Sequence, residues 1–256
     1  MKLSKRELKE QTEIYEFIKS KEKFTYEELE RIYETLNPGF ISDVTSHSAY
    51  FTPLDLAYDF ALFGGRHGIV VDMCAGIGVL SFAALTRDTY DGKIKKIICI
   101  ERNPEYVKIG KKLVPEAEWI CGDVFDRAIW DDIKTRYGKI DCINSNPPFG
   151  KVSKTSVDRS WLKYTGADID IACIEIAMVN AEWVDLIIPP NSCTFRYSGR
   201  PYYEEYENKK IEKLKRETGL DFYMSCHSVD CSIYKEQWKN TNIVVESLSV
   251  LRPEQQ

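Results

Sequence analysis

Residues 68–78 run Gly68-Ile69-Val70-Val71-Asp72-Met73-Cys74-Ala75-Gly76-Ile77-Gly78, an apolar run that ends in an acid and passes directly into a glycine turn. The same texture repeats downstream. Further apolar runs fall at 96–101, 117–123, 140–144 and 184–189, with helix-like stretches between them near 77–86, 104–114, 127–137 and 168–181. Continuous apolar strands alternating with helices predict a parallel sheet covered on both faces, because a strand buried on both sides has no polar face to show. Two more runs, 222–227 and 243–251, have no strong helix between them and predict a C-terminal antiparallel hairpin. The expected fold class is α/β, Rossmann-like, with a mostly parallel seven-stranded sheet.

Ligands of such sheets bind beyond the carboxyl ends of the strands. The residues placed there are Asp72, Glu101, Asp123 and the tetrapeptide Asn146-Pro147-Pro148-Phe149. Gly76 and Gly78 allow a tight turn and close approach to a ligand. Ser81 stands where the dinucleotide fingerprint would have its third glycine. An acid ending the second strand can accept both hydroxyls of a ribose. One ending the third can accept from an adenine amino group, or cap the helix that follows. Two prolines cannot continue a ladder, so 146–149 is predicted to leave the sheet as a stiff turn. The Asn146 amide oxygen and the Pro147 carbonyl then become fixed acceptors for an –NH2 group, and Phe149 offers a face for a planar base.

As a set, these motifs resemble the S-adenosylmethionine-dependent methyltransferases that act on exocyclic amino groups, above all the N6-adenine DNA methyltransferases. The resemblance covers about residues 46–190. It implies that Asp72, Ala75, Gly76 and Gly78 bind the amino-acid part of S-adenosyl-L-methionine, that Glu101 holds its ribose, that Asp123 contacts its adenine, and that Asn146, Pro147, Pro148 and Phe149 are catalytic. Upstream, Phe51-Thr52-Pro53 resembles the element that lies against the cofactor's methionine end. Its position before the glycine motif is the order seen in type I modification subunits and several small phage enzymes. The implied organisation is an N-terminal helical extension over 1–45 and a methyltransferase domain over 46–256, with no metal and with DNA favoured over RNA as partner. Similar motifs serve N6 of adenine or N2 of guanine in rRNA, and N5 of protein glutamine, where the fourth residue is more often Tyr. A catalytically silent subunit would be expected to lose motif residues, and here all are present.

Sequence-specific enzymes of that kind usually carry a target-recognition domain. Here the fold itself is expected to consume the residues after Gly150, so relaxed or short-site specificity, or specificity lent by a protein partner, is expected. Two basic segments with interleaved aromatics could take the substrate: 151–163, with Lys151, Lys154, Arg159 and Trp161, and 196–216. A solvated loop and an ordinary charged helix are the alternatives. The net charge of −5 argues against nonspecific coating of nucleic acid.

Ser4-x-x-Glu7 and Thr25-x-x-Glu28 are capping-box patterns that open two amphipathic helices, the second flanked by Phe24 and Leu29 at staple spacing and stopped by Asn37-Pro38-Gly39. These helices are expected to pack on the core, with a protein partner or a second copy of the chain as the alternative occupant. A content of 43% hydrophobic residues excludes disorder as the dominant state. No apolar run is long enough to span a membrane, and the charged first residues lack a signal-peptide core, so the cytoplasm is expected. Several of the eight cysteines sit inside apolar runs and read as buried thiols. Cys226, His227 and Cys231 lack a fourth ligand and zinc-site spacing and read as a packed strand end.

Overall fold

The computed structural model describes residues 4–41, 50–65, 67–150, 158–239 and 241–253. Its main strands are β1 (Gly68–Met73), β2 (Ile94–Glu101), β3 (Glu118–Cys121), β4 (Ile140–Ser145) and β5 (Ala181–Ile188). A two-residue ribbon follows, β6 (Phe195–Arg196) and β7 (Glu204–Glu205), and then β8 (Tyr223–Cys226) and β9 (Glu246–Leu251). The helices are α1 (Lys5–Ser20), α2 (Tyr26–Thr35), α3 (Pro38–Ile41), α4 (Leu54–Phe63), α5 (Val79–Asp91), α6 (Pro104–Leu113), α7 (Arg127–Tyr137), α8 (Ile169–Asn180) and α9 (Lys209–Thr218).

The seven-stranded sheet has the order β3-β2-β1-β4-β5-β9-β8. Strands β1 to β5 pair in parallel, while β9 is antiparallel to both β5 and β8. The hairpin expected from 222–227 and 243–251 is therefore present as β8 and β9. Strand order reverses between β1 and β4, and such a switch point opens a crevice at the carboxyl edge. Alternation along each strand sorts the core into two layers. Val70 and Cys142 face the layer that includes α1, α2 and α4–α6, whereas Val71, Met73 and Ile143 face the layer that includes α7–α9.

Helix α5 runs past the expected stretch to Asp91, where Gly92 ends it at φ 59°. Helix α4 was not legible from periodicity. Most of its side chains are apolar, and Leu54, Leu56, Ala57, Phe60 and Ala61 are buried, so no amphipathic stripe stands out. The ribbon β6–β7 was missed because two-residue strands carry no pattern.

Both capping boxes are formed, with the Ser4 and Thr25 side chains accepting from the amides of Glu7 and Glu28. The apolar faces of α1 and α2 are used on this chain's own core. Ile14, Ile18, Ile32 and Tyr33 share a cluster with Ile77, Leu80 and Tyr106. Polar contacts fix the docking. Gln11 donates to the Thr35 carbonyl and accepts from the Asn37 amide. Lys112 of α6 donates to the carbonyls of Ile18, Lys19 and Lys21, placing a cation at the negative end of α1. Tyr33 reaches the Ile77 carbonyl in the glycine turn at 3.5 Å. The boundary expected at residue 45 lies outside the described residues. No helix among the described residues is long and apolar enough to cross a membrane.

Candidate active site

At the switch point a small cleft lies between the glycine turn and the end of β4. Phe51, Thr52, Asp72, Ala75, Gly76 and Asn146 line it. Strand register explains the meeting: Asp72 of β1 sits opposite Asn144 of β4, and Asn146 follows β4 directly. Tyr50, Cys74, Ile77, Val79 and Leu80 also line the pocket. Nothing in a glycine motif marks its apolar neighbours.

The turn is built from unusual backbone. Gly76 adopts φ 58° and Cys74 adopts φ 66°, a left-handed conformation that is uncommon for a residue with a Cβ. A Cβ on Gly76 would lie 3.3 Å from the Phe51 ring. Gly78 serves packing: at φ 88° it precedes α5, and a Cβ there would meet Trp119 and Val114 at 3.0 Å. Ser81 accounts for the missing third glycine. Its hydroxyl and backbone amide both donate to Asp72 Oδ2, at 2.7 and 3.2 Å, tying α5 to the end of β1.

Asp72 is buried, and burial pushes its carboxyl up to about 7, against the opposing pull of the Ser81 hydrogen bonds. Its Oδ1 is buried with no hydrogen-bond partner, and so are Asn144 Oδ1 and Asn146 Oδ1. Buried polar atoms are nearly always paired, and leaving one unpaired costs roughly 1–3 kcal/mol. Asp72 and Asn146, which both line this pocket, thus each carry an unmet buried acceptor, which calls for a donor from outside the chain. The Asn146 Nδ2 lies 2.9 Å from Thr52 Oγ1 and 3.4 Å from the Tyr50 carbonyl. Pro147 is buried, and Phe149 is partly buried against the first core layer. Pro53 immediately precedes α4.

Glu101 and Asp123 lie on the same edge but outside the lining of this pocket. The Glu101 carboxylate accepts from the Gly76 amide at 2.9 Å and the Asn103 amide at 2.7 Å, bridging two loops. Burial raises its pKa above the ordinary value. Asp123 accepts from the Phe125 amide and pairs with Arg102 at 3.4 Å. It does not cap the next helix; Asp126 does, accepting from the Ala128 amide.

Lys151 and Lys154 lie outside the described residues. Arg159 and Trp161 are engaged within the fold. The Arg159 guanidinium stands 4.7 Å from the Phe125 ring centroid and donates to the Gly166 carbonyl, and Trp161 donates to the Phe125 carbonyl at 2.6 Å. Buried Glu175 accepts from the amides of Lys163 and Tyr164, so the end of this segment is pinned rather than solvated. Cys226, His227 and Cys231 form no metal set: His227 is surrounded by Asp185, Ser247 and Ser249. Among the described residues no group of three His, Cys, Asp or Glu side chains could hold a metal ion.

No family model and no curated protein matches this sequence. Solved structures do match. The methyltransferase subunit of a type I restriction-modification system from Streptococcus thermophilus aligns over 84% of this chain with a TM-score of 0.56 and 16% identity. The chain spans about half the length of that subunit, 48%. A proposed class I S-adenosylmethionine-dependent methyltransferase from Listeria monocytogenes aligns over 91% of this chain and 71% of its own, with a TM-score of 0.55 and 8% identity. The chain has the Rossmann-like fold of these methyltransferases.

Proposed function

We propose that this chain is an S-adenosylmethionine-dependent methyltransferase acting on an exocyclic amino group, with N6 of adenine in DNA as the acceptor. The observation that carries the reading is the buried, unpaired Asn146 Oδ1 in the switch-point pocket, beside the equally unpaired Asp72 Oδ1. The cofactor fits this set of acceptors. Its ammonium group supplies hydrogens where Asp72 lacks them, and Gly76 leaves its backbone clear for close approach. Glu101 and Asp123 retain acceptor capacity for ribose hydroxyls and an adenine amine, and Ala75, Gly78 and Phe51-Thr52-Pro53 shape the pocket around them. When bound, S-adenosylmethionine supplies an electrophilic methyl group on sulfur.

The protein's part is to prepare the nucleophile. The lone pair of an adenine amine is delocalised into the ring. Asn146 Oδ1 and the Pro147 carbonyl accept its two hydrogens and draw electron density onto nitrogen. These acceptors help most as positive charge develops there in the transition state, because they are already oriented. Pro147 and Pro148 hold them stiffly, and Phe149 stacks on the base. A duplex base has to leave the helix to reach them. The methylated nitrogen sheds its proton to water, so no dedicated base and no metal are assigned.

Methyl transfer from labelled S-adenosylmethionine to duplex DNA, single-stranded DNA, rRNA and total protein tests this directly. N6-methyladenine in DNA, reduced about 10²- to 10³-fold by Asn146→Ala, is the expected result. Label confined to RNA or protein would replace the substrate. No label on any of them would sink the enzymatic reading. Charge reversal of Lys151 and Lys154 is expected to weaken DNA binding and flatten its salt dependence.

A further inference from the structure

We infer that Thr52 is a positioning residue: its hydroxyl, with the Tyr50 carbonyl, fixes which end of the Asn146 amide faces the pocket. The inference rests on the function proposed above for Asn146. A primary amide has an acceptor end and a donor end of nearly equal size, and only its partners decide which way round it sits. If Asn146 were reversed, its NH2 would point at the substrate amine, donor against donor, and the site could not draw density onto nitrogen.

Of two atoms on the far side, the carbonyl sets the sense and the hydroxyl, which could pair with either end, anchors it. The Tyr50 carbonyl, 3.4 Å from Nδ2, can only accept, so it would repel Oδ1. Thr52 Oγ1, at 2.9 Å, gives Nδ2 the better-placed acceptor. With Nδ2 held by both, Oδ1 is left buried and unpaired on a residue that lines the pocket. Thr52 is itself buried, and Phe51 beside it packs against Tyr106 with ring centroids 5.0 Å apart, so the hydroxyl is delivered by a fixed segment. Sequence separation hides the pairing, because the two residues are 94 positions apart. The Thr52 hydroxyl therefore serves the tetrapeptide, while to the cofactor side of the pocket the stretch 50–52 gives only shape.

Thr52→Val keeps the shape and removes the acceptor, and Thr52→Ser restores the hydroxyl. The first readout needs no catalysis. In the full chain, the side-chain NH2 resonances of Asn146 are assigned by their loss in Asn146→Ala. Thr52→Val is expected to shift them and speed their hydrogen exchange about tenfold, with Thr52→Ser close to wild type. Unchanged resonances and exchange in Thr52→Val would overturn the inference. The second readout is kinetic: kcat falls about tenfold or more in Thr52→Val, Thr52→Ser recovers most of it, and the Kd for S-adenosylhomocysteine stays within about twofold. Parallel loss of cofactor affinity and rate would overturn it in favour of a cofactor-binding role. Thr52→Ala, checked by its unfolding midpoint, substitutes if the valine variant does not fold. A wild-type chain that methylates nothing removes the proposed function, and the resonances then decide the role of Thr52 alone.

Discussion

Two groups of buried polar side chains share one face of the sheet, and they are finished differently. Toward β5, β9 and β8, Asp185 Oδ2 accepts from the Gly65 amide at 2.5 Å and Oδ1 accepts from Ser249 Oγ at 2.5 Å. His227 Nε2 lies 3.2 Å from the same Oδ1, and its Nδ1 lies 2.8 Å from Ser247 Oγ. Phe60 and Phe63 cover the imidazole, with ring centroids 5.7 and 5.6 Å away. Here every polar group found a partner inside the chain. Toward β1 and β4, Asp72, Asn144 and Asn146 each keep one oxygen unpaired. Register joins the two ends, since Asp72, Asn144, Asp185 and Ser249 are successive neighbours across four strands. A buried polar group therefore does not by itself mark a site; an unpaired acceptor on a residue that lines a pocket does, because its cost is recovered only when a ligand supplies the donor.

The sharpest test is to open the closed end. Asp185→Ala strips partners from the Gly65 amide, Ser249 and His227, and is expected to cost about 3–5 kcal/mol in urea unfolding. A loss below about 1 kcal/mol would mean the closed cluster is not what stabilises this half of the sheet. Asn146→Ala should do the reverse, removing activity about 10²- to 10³-fold while moving stability by about 1 kcal/mol or less, since losing the Nδ2 bonds to Thr52 and Tyr50 is offset by removing an unpaired buried oxygen.

Asp72 gives a pH-dependent version of the same contrast. Its carboxyl, raised from the ordinary 3.8 to about 7, binds a proton more tightly in the folded than in the unfolded chain. Its contribution is therefore fully present below about 4 and is lost as pH rises through about 7. Asp72→Asn cannot ionise. Without cofactor, it should match wild type near pH 4 and exceed it by on the order of 4 kcal/mol at pH 8, read from paired urea titrations. A pH-independent difference would mean that Asp72 is ionised throughout. The smallest expected effect is Ser247→Ala, about 1 kcal/mol, because it deletes one hydrogen bond to a histidine that keeps its others. A cost as large as that of Asp185→Ala would show the cluster to be a single cooperative unit.

The sequence by itself determined the sheet, its parallel core and its C-terminal hairpin, because period and turn residues act locally and survive without neighbours. It also placed Asp72, Glu101, Asp123 and Asn146 on one edge, since that follows from where strands end. The capping boxes at Ser4 and Thr25 were legible for the same reason: both halves of each lie within one turn. Tertiary structure decided what those residues touch. Helix α4 carries no stripe to read, Ser81 takes over the space of a missing glycine, and Trp161 and Arg159 turn to Phe125. Thr52 meets Asn146, and His227 meets Asp185, only through strand order and register. Whether a polar atom ends paired or waiting depends on neighbours brought together from distant parts of the chain, and no local pattern encodes that.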